Sequence, residues 1–208
     1  VNVAHIDELD HIELPEGFVW RPVRRRFGIE AFGVNAYTPG ESGQVVETHT
    51  EKKNEHQEIY LVLRGRVRFT VGEDEHELRA GQLVFVRDPT LRRGAVALTG
   101  DAAVVALGGK PGEAYRVSAW EAMFAAVPAA QQERWSEAIR IHVEALRDHP
   151  DHPALLYNLA CMECRAGRHL DALLHLKRAV ELEPKWATHA VKDSDFAAIR
   201  SEPGFPAA

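Results

Sequence analysis

The stretch VVETHTEKKNEHQEIYLVLRGRVRF (45–69) decides the fold of the first half of the chain. Short runs of Val, Ile, Leu, Tyr and Phe are broken every few residues by charged and glycine-bearing punctuation, the pattern of antiparallel strands. Working outward, the same texture runs from Val19 to about Gly109. Candidate strands are 28–37, 44–50, 58–63, 66–71, 76–80, 83–86, 94–99 and 102–109. Strands this short, with no helical segment between them, predict an all-β sandwich or barrel. A parallel sheet is excluded, because its crossovers need a helix's worth of chain.

Beyond GGKPGEAY (108–115) the composition turns rich in Ala, Leu and Glu, and this shift marks a domain boundary. The expected domains are 1–115, a barrel with an N-terminal extension, and 116–208, a helical unit. Within the second, RWSEAIRIHVEALRDHP (134–150) aligns with RHLDALLHLKRAVELEP (168–184) at an offset of 34 residues. The better copy spans Pro153 to Trp186, with Leu156, Leu159, Ala160, Gly167, Ala172, Leu176, Ala179 and Pro184 at packing positions. Small residues at a crossing let two antiparallel helices seat closely, and Gly and Pro turn and stop the chain. This pattern resembles the tetratricopeptide repeat. The other copy opens on AWEAMFAAVPAA (119–130), which carries Pro128, and DSDFAAIRSEPGF (193–205) offers Phe196, Ile199 and Phe205 as apolar caps. One and a half to two repeats leave a spare face that needs cover, expected from the barrel or a second subunit; the helical unit is expected to dock a protein partner or a second subunit, with a homodimer as the expected assembly.

The chain has 208 residues, 45% apolar and 27% charged, which excludes a disordered polymer and allows one full core and a small second one. A net charge of −6 makes nucleic acid a poor partner. The cluster Arg21, Arg24, Arg25 and Arg26 is read as a solvated strand edge. No apolar run reaches membrane-spanning length and the N-terminal stretch is acidic, so the expected location is the cytoplasm, away from membranes. Cys161 and Cys164 form a Cys-x-x-Cys inside the helical stretch YNLACMECRAG, where a buried structural pair is expected. His76, His142, His152 and His175 are expected on strand edges or repeat surfaces, without partners at ligand spacing.

The residues that could carry chemistry lie in the opening stretch. If KKNE (52–55) is a four-residue hairpin loop, Glu51 stands opposite His56 and His49 opposite Glu58. All four then share a face with Tyr60. Two imidazoles and two carboxylates suit zinc, manganese, nickel or ferrous iron. A hairpin turn shifted by one residue keeps His49 and Glu58 and expels Glu51 and His56.

Residues 45–69, followed by LRAGQLVFVRDPTLRRGAV (78–96), resemble the cupin superfamily over about Val19 to Gly109. The resemblance implies a double-stranded β-helix barrel, so that the whole chain is an α+β multidomain protein with a cupin-like barrel and tetratricopeptide-like hairpins. It also implies a divalent metal held by a His-x-His, a Glu and a later His. Glu58 sits on the first motif, but His49-Thr50-Glu51 replaces His-x-His, and DPTLRRG sets Arg92 near the missing histidine. Arg92 or Arg93, whichever turns inward, would pair with a carboxylate or grip a small anionic ligand.

Three readings stay open. The first is a binding module for a small molecule or metal with a helical interaction domain. The second is a metal-dependent enzyme of dioxygenase or isomerase type, using His49, His56 and a carboxylate. The third is a protein-interaction scaffold whose barrel is inert and only pairs subunits.

Overall fold

The computed structural model describes residues 3–206 except Glu16. The chain divides into two compact units, Val1–Val117 and Ser118–Ala208. The outermost residues of both expected domains, 1, 2, 207 and 208, lie outside the described residues.

The first unit is two antiparallel sheets. One holds β1 (Ile12–Glu13), β2 (Phe18–Arg21), β3 (Gly33–Pro39), β10 (Ala103–Gly109), β5 (Gln57–Arg64) and β8 (Leu83–Val86), in that order. The other holds β4 (Gln44–His49), β9 (Arg93–Ala97), β6 (Arg66–Val71) and β7 (Asp74–Arg79). Strand alternation sends Tyr60 and Val62 of β5, Val67 and Phe69 of β6, Val86 of β8, Ala95 of β9 and Val104 of β10 into one core between the sheets. Tyr60 and Phe69 meet there at 4.8 Å between ring centroids. Burying one such side chain stabilises the fold by about 1.5–3 kcal/mol. The edge strand β7, DEHELR, is charged and largely exposed, which discourages pairing with another chain.

Two expectations for the first unit need correction. The hairpin between 44–50 and 58–63 does not form: β4 pairs with β9, and β5 pairs with β10 and β8, so the two segments belong to different sheets. The arginine cluster is solvated only in part and is not one strand edge: Arg25 and Arg26 are exposed, but on a helix, and the other two are buried. Arg21 is a buried member of β2 that donates to the Leu9 carbonyl, and Arg24 lies in a short helix, α1 (Val23–Phe27), and donates to the Ile29 carbonyl. Long guanidinium stems bury well when their donors find carbonyls, a possibility charge alone does not reveal.

The second unit is helical: α2 (Ala119–Gln131), α3 (Trp135–Asp148), α4 (Pro153–Arg165), α5 (His169–Leu182) and α6 (Lys185–Lys192). Successive helices pack as hairpins. Gly167, at φ +77°, makes the turn between α4 and α5 in a conformation a β-carbon disfavours. Leu156, Ala160, Ala172, Leu176 and Ala179 form the core with Phe196 and Ile199, and Phe205 packs against it. Cys161 and Cys164 are free thiols buried in that core. His142 is buried rather than on a repeat surface, and His175 does have a partner, the buried Glu163, at 2.7 Å. Among the described residues no helix is long and apolar enough to cross a membrane.

Candidate metal centre

His49 ends β4, and Glu58 and Tyr60 stand two apart on β5, on the face turned toward the core. Between the two strands, residues 51–55 form a tight turn. The Glu51 N–H donates to the Pro89 carbonyl at 2.9 Å, and the Glu55 N–H donates back to the Glu51 carbonyl at 2.7 Å, with Glu55 in the left-handed region at φ 56°. This turn, not a strand ladder, folds Glu51 inward until it is only 6% exposed. Gly108 is the ladder partner of Glu58, and a β-carbon there would lie 2.9 Å from Glu58 Cγ. The absence of a side chain at 108 leaves Glu58 its place.

One atom each from His49, Glu51 and Glu58 gather within 4.8 Å of one another. His49 Nε2 is 3.6 Å from Glu51 Oε1 and 3.6 Å from Glu58 Oε2. His56 stands at the margin of the group, with Nδ1 3.3 Å from Glu51 Oε2. Around this set, Tyr60 donates to Glu58 Oε2 at 2.6 Å and Asn54 donates to Glu51 Oε2 at 2.9 Å. His49 Nδ1 lies 2.8 Å from the Glu47 carbonyl. A carbonyl only accepts, so Nδ1 carries the proton in the neutral ring and the Nε2 lone pair faces the carboxylates.

Burial works against a charged His49, but the Glu58 and Glu51 carboxylates and the Glu47 carbonyl outweigh it and raise its pKa above the ordinary imidazole value. Burial likewise acts to raise the Glu51 pKa, yet His56 and Asn54 hold it below the usual carboxylate value. Tyr60 is pushed well above an ordinary phenol by burial and then by the Glu58 charge.

Of the two adjacent arginines, Arg93 turns inward and Arg92 is exposed. Arg92 therefore does not occupy the place of the missing histidine. Arg93 is the ladder partner of His49, so the two side chains leave the sheet on one side. Its Nε lies 3.4 Å from Glu58 Oε2, an ion pair whose angle falls outside hydrogen-bond geometry.

The charge, size and donor chemistry of the set fit a divalent metal. Two ligand atoms about 2.1 Å from a tetrahedral ion lie about 3.4 Å apart, close to the 3.6 Å between His49 and each carboxylate. In the helical unit a second grouping, Cys161, Asp193 and Asp195, also lies within 4.8 Å. Its chemistry is structural: Tyr157 donates to Asp193, Asp193 caps the turn at 194–196, and burial pushes the Cys161 thiol far up, away from the thiolate a metal requires.

Two antiparallel sheets enclosing inward His and Glu side chains define a cupin-type barrel. Residues 36–107 match the family model described as Cupin domain, so the N-terminal half holds a cupin domain and a helical region follows it. Among solved structures, the chain is similar to KdgF from Halomonas sp., at 18% identity over 54% of this chain and 91% of that one, with a TM-score of 0.41. It is similar to an RmlC-like cupin from Shewanella frigidimarina, at 15% identity over 52% and 91%, with a TM-score of 0.40. It is also similar to the polyketide cyclase RemF from Streptomyces resistomycificus, at 14% identity over 57% and 87%, with a TM-score of 0.41. No curated protein matches the chain.

Proposed function

We propose that the barrel is a binding module for one divalent metal ion, held by His49 Nε2, Glu51 and Glu58, and that the helical half docks a protein partner or a second copy. The observation that carries the metal reading is a meeting of acceptors. With Nδ1 committed to the Glu47 carbonyl, the neutral His49 turns a lone pair toward two carboxylate oxygens at 3.6 Å. Arg93 beside Glu58 offsets only part of the repulsion in such a group, and a proton on Nε2 or a metal ion would offset the rest. Nitrogen and carboxylate donors suit zinc, manganese, nickel or ferrous iron.

The chain's other residues orient this set. Glu47 fixes the His49 tautomer, Tyr60 and Arg93 hold Glu58, and Asn54 and His56 hold Glu51. A bound metal would supply Lewis acidity. Three protein ligands leave coordination positions open, and His49 is partly exposed, which favours as a second reading a metal-dependent enzyme with substrate entering from that side. A small anion gripped by an arginine has less support, since Arg92 is exposed and Arg93 lies against Glu58.

For the helical half, support for tetratricopeptide-like hairpins comes from spacing. From Ala119 to Pro153, and from Trp135 to His169, helix starts recur after 34 residues. Leu170 and Leu174, one turn apart on α5, are exposed and suit a docking surface.

The test of the metal site is calorimetric titration of chelator-treated protein with Zn²⁺ and Mn²⁺, and with Fe²⁺ under anaerobic conditions. One ion bound per chain, with binding lost in His49→Gln and in Glu51→Gln, is the expected result. Saturable binding that survives both substitutions would place the ion elsewhere and overturn the reading.

A further inference from the structure

The least economical residue in the barrel is Arg93. Its side chain has no solvent exposure, yet neither Nε nor Nη2 has a hydrogen-bond partner among the described residues. Among the described residues Nη1 reaches only the Pro89 carbonyl, at 3.4 Å. A buried guanidinium normally spends its five donors on fork-like bonds to a carboxylate. This one is held 3.4 Å from Glu58 Oε2 without that geometry, so it acts on the site by charge more than by hydrogen bonding.

That charge is locked in place. Arg93 and His49 are opposite one another in the ladder between β9 and β4. The Pro89 carbonyl that accepts from Arg93 also accepts from the Glu51 N–H, tying the arginine and the turn that carries Glu51 to one atom. Without a metal, the buried Glu51 and the partly buried Glu58 face one fixed guanidinium, and Arg93 offsets part of their repulsion. With a divalent ion among His49, Glu51 and Glu58, the same guanidinium stands beside the oxygen that binds the ion. Like charges at that range in a poorly solvated site repel strongly.

Resting on the metal reading above, we infer that Arg93 is a built-in counter-cation: it steadies Glu58 when the site is empty and weakens the hold on a divalent ion, making that ion exchangeable. Arg93 is thus a positioning and affinity-setting residue, not a ligand.

The experiment compares chelator-treated full-length protein with Arg93→Met, Arg93→Gln and Arg93→Lys, titrated calorimetrically with Zn²⁺ and with Mn²⁺. Melting temperature is recorded with and without metal. The neutral variants should bind each ion about tenfold or more tightly than the parent, while Arg93→Lys, which keeps the charge, stays within about threefold. Without metal the neutral variants should melt lower than the parent, and excess metal should close that gap. Two neutral replacements of different chemistry guard against one failing to fold, which circular dichroism would reveal.

Equal or weaker affinity in folded neutral variants, with the parent still binding one ion, would overturn the role of Arg93 and leave the metal reading standing. Binding by no protein in the series would overturn the metal reading and this inference with it. Binding by the neutral variants alone would support the role of Arg93 and overturn metal binding by the native chain.

Discussion

Tyr60→Phe tests the polar network behind the site. The phenol is buried and donates to Glu58 Oε2 at 2.6 Å, while its ring packs on Phe69. Phe keeps the ring contact and removes one donor from a partly buried carboxylate oxygen. A hydrogen bond to a charged group contributes about 1.5–3 kcal/mol. Glu58 Oε2 retains the Arg93 contact at 3.4 Å, so a loss near the lower end, about 2 kcal/mol, is expected. With an m-value of about 1.5–2 kcal/mol/M, the urea midpoint should fall by about 1 M. The assay is Trp20 fluorescence, since Trp20 lies in β2 of the barrel, in a background where Trp120, Trp135 and Trp186 are replaced by Phe. A double-mutant cycle with Glu58→Gln should return a coupling of about 1–2 kcal/mol. A coupling below about 0.5 kcal/mol would refute the claim that Tyr60 supports the Glu58 carboxylate.

Further outcomes follow from the same geometry. Gly65 sits at φ +68°, where a β-carbon would lie 2.6 Å from Thr99 Oγ1 and 2.7 Å from the Ala102 Cα; Gly65→Ala should destabilise the barrel by about 2–4 kcal/mol in urea denaturation. The pKa of His175 is raised by its hydrogen bond to Glu163, against the effect of burial, so its stabilising contribution is full below about pH 6.5 and lost as pH rises through the higher folded value. The melting temperature of the helical unit should therefore fall as pH rises above about 6.5, and His175→Gln should remove that slope. Cys161 and Cys164 are buried thiols whose pKa values are raised by burial and by nearby aspartates; iodoacetamide should leave both unmodified in native protein and alkylate both in urea.

The strands of the barrel and the helices after Ser118 were legible because hydrophobic period and punctuation are local properties. The run 66–71 and the run 83–86 form strands with the expected bounds. Sheet partnership was not legible. Neighbouring segments 44–50 and 58–63 read as a hairpin, whereas β4 joins β9 from far along the chain, a choice made by packing two sheets face to face. His49, Glu51 and Glu58 still converge, but through the turn anchored on Pro89, which no local pattern announces. The choice between Arg92 and Arg93 depended on register, and a single residue of shift reverses the face. Gly108 opposite Glu58 was a readable signal only once the ladder between β5 and β10 was known.

The central claim is that three side chains of the barrel hold one metal ion. Its most direct test is a crystal of the full chain grown with Mn²⁺ or Zn²⁺, with anomalous differences collected at the metal edge. The account predicts one peak within about 2.0–2.3 Å of His49 Nε2 and of an oxygen from each of Glu51 and Glu58. A map with no peak among those atoms, at metal concentrations that saturate binding in solution, would contradict it.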